Sequence, residues 1–287
     1  MQLAKRLEIK RIWTLHNLEH HEGVDWVDRW GYRVLARHSD MVICHSQSAA
    51  EALRRRDHPR GRLVVMPYGN YGLAYPEARP RALVLKELGL MPELPMVCCI
   101  GNLRQYKGLE IVCGAIKKLG NQFQLVIAGR PWPGFDLPTL RRMVESLPSG
   151  RLVDHWLSAQ EFADIVGASD AVVLPYLNIT GSGALYAAWS LGRGVIASDL
   201  PFFRETLGPE PDAGRLFRSG LDDSLADAII EYLRIPSERR TAAALRLMQQ
   251  HSWERCIQPV AEVLLEWSRA KACKAYPASF VTQAGSP

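Results

Sequence analysis

The chain has 287 residues, 47 % of them hydrophobic and 23 % charged, with a formal net charge of +5. That balance gives enough apolar material for two α/β domains or one large one, and it excludes extended disorder. No run approaches the roughly 20 apolar residues that cross a bilayer, and the start lacks the apolar core and small-residue cleavage site of a signal peptide.

A short β-rich run, RIWTL at residues 11–15, ends at His16 and Asn17. The pattern then predicts a helix over 25–37 and a strand over 41–44. Ser46 or Ser48 can cap the helix carrying AAEALRRR, because a hydroxyl there satisfies free backbone N–H groups. Residues 63–66 read as a third strand, closed by the turn formers Pro67, Tyr68, Gly69 and Asn70. Arg54, Arg55, Arg56, His58, Arg60 and Arg62 form a basic cluster. An exposed helix end explains it; so does peripheral contact of Arg54, Arg55 and Arg56 with anionic headgroups on the inner face of a membrane. No stacking aromatics or helix-turn-helix pattern accompany it, which argues against nucleic acid.

Residues 77–95 are proline-rich, with one short helical piece, LVLKELG. Beyond them strands are expected at 96–100, 124–129, 171–176 and 194–199, with a weaker one at 151–156, and helices between them. Three helices, at 223–234, 237–250 and 253–267, close the chain. This alternation predicts an α/β fold of parallel sheets with crossover helices. The expected organisation is a partial N-terminal Rossmann-like domain over 1–82 and a linker over 83–95. A second Rossmann-like domain with the closing helices follows over 96–270, then a disordered tail over 271–287. The six cysteines show no CxxC pair or metal-type spacing. They read as buried thiols in a reducing compartment, so a cytoplasmic location is expected.

In open parallel sheets ligands bind where strands end and helix N-termini point outward. Three such junctions carry unusual residues. After the strand at 96–100 come Gly101, Asn102, Arg104, Lys107 and Gly108. The glycines allow close backbone approach, and the two cations suit a diphosphate. After the strand at 171–176, Thr180, Gly181, Ser182 and Gly183 open an apolar helix, offering free N–H donors and the positive end of its dipole. An ordinary helix entry has the same composition. Neither a Walker loop nor a GxGxxG fingerprint is present, which disfavours a nicotinamide dehydrogenase. After the strand at 194–199, Asp199 and Glu205 place acidic groups at the rim, where capping the next helix is the competing explanation. His16 stands at a strand's carboxyl end, facing the expected cleft. His20, His21 and Glu22 follow it, but HNLEHHE lacks HExxH spacing, and no metal site is expected.

Taken in order, these pieces resemble the family 4 retaining glycosyltransferases: TLHN, HSDMVICHS, a strand ending in PYG, GNLRQYKG, a strand ending in AG, ASDAVVLPY, the small-residue helix entry, and GRGVIASDLPFFRE. The likeness runs over residues 11–262 and is nearest to bacterial enzymes that build polysaccharide repeat units. It implies a GT-B-like fold of two Rossmann-like domains, the N-terminal one incomplete, and no cofactor beyond a nucleoside-diphosphate sugar. It implies a hexosyl-type transfer with retention and without a metal, to a saccharide or lipid-linked acceptor. Arg104 and Lys107 then match the pair that binds the donor diphosphate. Thr180, Gly181, Ser182 and Gly183 form the loop whose amides face it, while Gly101, Asn102 and Glu205 lie on the nucleotide side. His16 matches the histidine beside the transferred sugar, and Gly69 the glycine of the turn near the cleft. Two glutamates usual in the family correspond to Ile179 and Ala187 here, the second being the ribose-holding carboxylate. Their absence, with the short first domain, leaves a non-catalytic subunit that needs a partner as the alternative. A nucleotide-sugar epimerase would need cleft carboxylates that the sequence does not place.

Overall fold

The computed structural model describes residues 6–18 and 26–275. Its first sheet has three parallel strands in the order β1 (Ile12–Leu15), β2 (Met41–Cys44) and β3 (Arg62–Val65). Helices α1 (Trp26–His38) and α2 (Gln47–Asp57) cross between them. Helix α2 starts where Ser46 Oγ accepts the Ala49 N–H at 3.1 Å, which settles the choice between the two candidate serines. One face of the sheet packs Leu15, Val42 and Cys44 against Ala36, Ala49 and Leu53 of the two helices.

The opposite face packs Met41, Ile43 and Val64 against Val260 and Val263 of the last helix, Trp253–Ala275. Sequence reasoning placed that helix with the second domain and expected a disordered tail from residue 271. It lies on the first sheet instead, and it runs to Ala275. The cause is its apolar stripe: Val260, Val263 and Trp267 fall on one side, and a parallel sheet needs both faces covered. Residues 276–287, the remainder of the expected tail, lie outside the described residues.

The second sheet contains β4 (Met96–Ile100), β5 (Gln124–Ala128), β6 (Gly150–Val153), β7 (Ala171–Leu174), β8 (Val195–Ser198) and β9 (Gly214–Phe217). All are parallel, in the order β6-β5-β4-β7-β8-β9. Counted from β4 this is the doubly wound order, which reverses between β4 and β7, where Val97 pairs with Ala171 and Cys98 with Val172. The helices are α3 (Arg81–Glu87), α4 (Leu109–Leu119), α5 (Leu137–Glu145), α6 (Ala159–Ala168), α7 (Gly183–Ser190), α8 (Pro201–Leu207), α9 (Asp222–Leu233) and α10 (Ser237–Gln250). The last helix is α11. Successive residues of β4 enter opposite cores, Val97 and Cys99 one, Met96, Cys98 and Ile100 the other, so the strand is apolar throughout.

The segment over 83–95, expected as a linker, is part of this second core. Val84 and Leu85 of α3 are buried in it, and Arg79 pairs with the buried Asp164 at 2.6 Å. Strand β9 was not anticipated, because GRLF carries an exposed arginine and a glycine at a sheet edge and gives no alternation to read. Among the described residues no helix is long and apolar enough to cross a membrane. Five cysteines, Cys44, Cys98, Cys99, Cys113 and Cys256, are buried and free.

Candidate functional site

The two loops that sequence reasoning singled out leave the sheet on either side of the reversal. The loop after β4 is drawn tightly onto the loop after β7. Gly108 sits in the left-handed region at φ 59°, and a Cβ there would stand 2.4 Å from the Pro175 carbonyl oxygen. The Leu177 N–H donates to the Tyr106 carbonyl at 2.8 Å. Between the loops lies a cleft of about 280 Å³, lined by Gly101, Lys107, Gly181, Ser182 and Gly183 among others.

Lys107 is the cation of this cleft. Its side chain is buried, and Nζ donates to the Ile100 carbonyl at 3.2 Å and lies 5.5 Å from the centre of the Tyr176 ring. Burial pulls its pKa down to about 8. Opposite it α7 begins: Ser182 Oγ caps the helix by accepting the Leu185 N–H at 3.3 Å, and the first-turn amides face outward with the positive end of the dipole. An ammonium short of solvent and partners, facing a helix N-terminus, is a place built to take an anion.

The other expected phosphate ligands divide. Arg104 does not line the cleft; its guanidinium lies over the Trp132 ring, 3.6 Å from the centre. The backbone explains this. Leu103 N–H donates to Arg130 at 2.8 Å and Trp132 N–H to Leu103 at 3.0 Å, which holds Arg104 beside the loop after β5. Thr180 turns to the first sheet, where its Oγ1 accepts the Leu18 N–H at 3.3 Å. Gly101 and Asn102 line a second cavity of about 410 Å³ with Gly129, Arg130, Trp156 and Ser158.

Glu205, assigned from sequence to the nucleotide side, is elsewhere. It leaves α8 to accept the N–H groups of Gln47 at 2.7 Å and Ser48 at 2.9 Å, capping α2 across the two sheets. A carboxylate that reaches a helix start from another element is invisible to local pattern, and this one competes with any ligand role. Gly69 follows β3, between Tyr68 and the cleft-lining Tyr71. A Cβ on it would meet the Trp253 ring at 2.3 Å, so it lets the first residue of α11 cross the turn. In the basic cluster, Arg56 is drawn to the buried Asp57 at 2.6 Å and to the Leu18 carbonyl at 2.5 Å, and so leaves the surface patch. Arg54 and Arg55 are exposed.

His16 is exposed at the end of β1, its ring centre 5.3 Å from that of His45. His45 was not foreseen. It is buried, its Nδ1 lies 2.9 Å from the Met66 carbonyl, and its ring stacks on Tyr68 at 4.0 Å. Burial lowers its pKa, so the ring is held neutral. Tyr68 in turn touches Gly181, and Tyr71 and Tyr75 from the same segment line the cleft. The tyrosines of PYGNYGLAY were the available signal; of these the sequence reading took only Tyr68, and that as a turn former. Among the described residues no group of three His, Cys, Asp or Glu could hold a metal ion. His20, His21 and Glu22 lie outside them.

Two family models match the chain: "Glycosyltransferase Family 4" over residues 1–69 and "Glycosyl transferases group 1" over residues 94–234. No curated protein sequence matches it. Among solved structures, sucrose-phosphate synthase from Thermosynechococcus elongatus is similar at 22 % identity and TM-score 0.76, covering 94 % of this chain and 70 % of its own. HepE of Anabaena, solved with UDP and glucose, is similar at 18 % identity and TM-score 0.76, over 92 % and 73 %. An α,α-trehalose-phosphate synthase (UDP-forming) from Burkholderia vietnamiensis is similar at 14 % identity and TM-score 0.70, over 94 % and 70 %.

Proposed function

Starting from a chain that belongs with the family 4-type glycosyltransferases of GT-B fold, we propose that it transfers a hexosyl group from a nucleoside-diphosphate sugar with retention and without a metal. The acceptor is a saccharide or a lipid-linked saccharide. The observation that carries this is the pairing of the buried Lys107 with the N-terminus of α7 in one cleft at the sheet reversal. Glycosyl transfer leaves negative charge on the departing diphosphate and an oxocarbenium-like sugar. A fixed ammonium and oriented amides stabilise that charge as it develops, with little reorganisation.

In this reading the diphosphate lies against Lys107 and the Ser182–Gly183 amides, and the base enters the neighbouring cavity beside Trp156. Arg104 approaches the phosphates only if it leaves Trp132. HepE was solved with UDP, which supports uridine as the base. In the same reading His16, whose ring lies beside that of His45, orients the transferred sugar or acceptor hydroxyl rather than acting as a nucleophile. The exposed Arg54 and Arg55 are the residues through which a lipid-borne acceptor would bring the chain to an anionic surface.

The second reading, a non-catalytic relative, is favoured by Ile179 and Ala187 standing in the cleft where family members carry glutamates. Calorimetry with UDP and GDP tests the donor site, and turnover of UDP-glucose in excess chelator, with NMR assignment of the product anomer, tests the reaction. Binding and chelator-insensitive formation of an α-product support the transferase. Binding without turnover on any acceptor supports the non-catalytic reading, and no binding removes the donor site.

A further inference from the structure

We infer that Tyr75, carried by the segment joining the two sheets, hydrogen-bonds the ribose of the donor nucleotide and takes over the task of the carboxylate replaced by Ala187. This rests on the donor-site reading above and specifies its sugar-binding group.

Two adjoining spaces fix where a ribose would lie. The cleft that holds Lys107 and the α7 N-terminus suits a diphosphate, and the cavity lined by Asn102, Arg130 and Trp156 suits a planar base. A nucleoside diphosphate that fills both must set its ribose at the wall they share. That wall consists of three residues, Tyr75, Gly101 and Phe162, which line both spaces. Gly101 has no side chain and Phe162 no hydrogen-bonding group, so Tyr75 is the one that offers a hydroxyl to a sugar diol. Ala187 and Ile179 line the same cleft with apolar side chains that offer no hydrogen bond.

Tyr75 is also held in place. Its ring stacks on Phe162 at 4.5 Å and 13° between planes, and it lies 6.3 Å from the Tyr71 ring. Behind it Ala78 packs on Gly167 of α6, where a Cβ would come within 2.4 Å, and Arg79 is bound to Asp164. The segment is therefore anchored on both sides, and the phenol is not a mobile loop tip. Burial raises its pKa, so the hydroxyl is protonated and can donate to one ribose oxygen while accepting from another. A neutral phenol avoids the repulsion that a second carboxylate-like charge would impose beside a diphosphate. Because the segment leaves the first sheet and the cleft belongs to the second, ribose recognition then depends on both.

The test is calorimetry of the full chain with UDP and GDP and with their 2′,3′-dideoxy analogues, for wild type and Tyr75→Phe. Wild type should prefer the ribonucleotide by roughly 3- to 10-fold, the range of a single hydrogen bond. Tyr75→Phe keeps the stacking on Phe162 and should bind the two forms equally, at the wild-type level for the dideoxy analogue. A variant that still discriminates as wild type does overturns the inference while leaving the donor site intact. No binding of either ribonucleotide by wild type overturns the donor site, and the inference with it. Thermal melting of the variant guards against misfolding, and Tyr75→Trp, which fills the wall without the phenol hydroxyl, should lose the same discrimination.

Discussion

Tyr68 of the turn after β3 and Gly181 of the loop before α7 touch across the two sheets: a Cβ on Gly181 would lie 2.9 Å from Tyr68 Cε2. Tyr68 cannot retreat freely, because its ring is stacked on His45 at 4.0 Å. Gly181→Ala should therefore push the loop rather than the ring, turning the α7 amides away from the phosphate position. Donor turnover should fall by roughly 10²-fold, the scale of a misplaced group in a reaction that depends on orientation. Melting temperature should change by only a few degrees. Stopped or initial-rate assays with UDP-glucose beside a thermal melt separate the two effects, and an unchanged rate would show that the contact is packing alone.

The depressed pKa of Lys107 gives a pH signature. In the free protein the ammonium loses its proton around pH 8, and a bound diphosphate must raise that value. Donor affinity should be flat below about pH 7 and fall tenfold per unit as pH climbs past 8, since each binding event must then recover a proton. Calorimetry near pH 8 in buffers of different ionisation enthalpy should report proton uptake. Lys107→Arg, which stays charged throughout, should abolish the slope; Lys107→Ala should lose about 2–4 kcal/mol of transition-state stabilisation, read as kcat/KM.

Glu205 makes the contact between the units that a denaturation experiment can weigh. Its carboxylate satisfies the Gln47 and Ser48 amides at the start of α2. Removing such a cap typically costs about 1 kcal/mol, with the charge on the helix dipole adding a few tenths. Glu205→Ala should lower unfolding stability by about 1–2 kcal/mol. Glu205→Gln should recover part of that, because one amide oxygen still accepts. If Glu205 served the nucleotide instead, the alanine variant would lose UDP affinity with stability intact.

How much of this was legible beforehand follows the range of the forces. Strands such as Met96–Ile100 and helices such as Leu109–Leu119 and Ser237–Gln250 carry their apolar period locally, and they were read from sequence alone. Lys107 and the α7 entry were located because each sits where a parallel strand ends. Nothing local says that Arg104 lies on Trp132, which is 28 positions away, or that Glu205 reaches α2 across 157. The same holds for Tyr75: its stacking partner Phe162 is on α6, and a tyrosine beside prolines reads as a turn until the second sheet is present. The position of α11 was missed because an amphipathic stripe states that it needs a face, not which one.

Lys107 trades stability for function. In the unfolded chain its ammonium titrates near the ordinary value of 10.5, while in the fold it does so at about 8. The folded pKa is the lower one, so below pH 8 the residue is charged in both states, and the fold bears the full desolvation penalty. A difference of this size corresponds to on the order of 3 kcal/mol at neutral pH, shrinking as pH rises from 8 to 10.5 and absent above it. Lys107→Met replaces the buried ammonium with an apolar chain of similar length and sacrifices one hydrogen bond to the Ile100 carbonyl and a 5.5 Å approach to the Tyr176 ring, together smaller than the desolvation penalty. The variant should therefore melt at a higher temperature than wild type at pH 7, with the gap closing toward pH 10, while nucleotide affinity collapses. Melts across that range decide the matter: a Lys107→Met protein that is less stable than wild type at pH 7 would mean that the ammonium is already compensated in the free protein and is not held in wait for an anion.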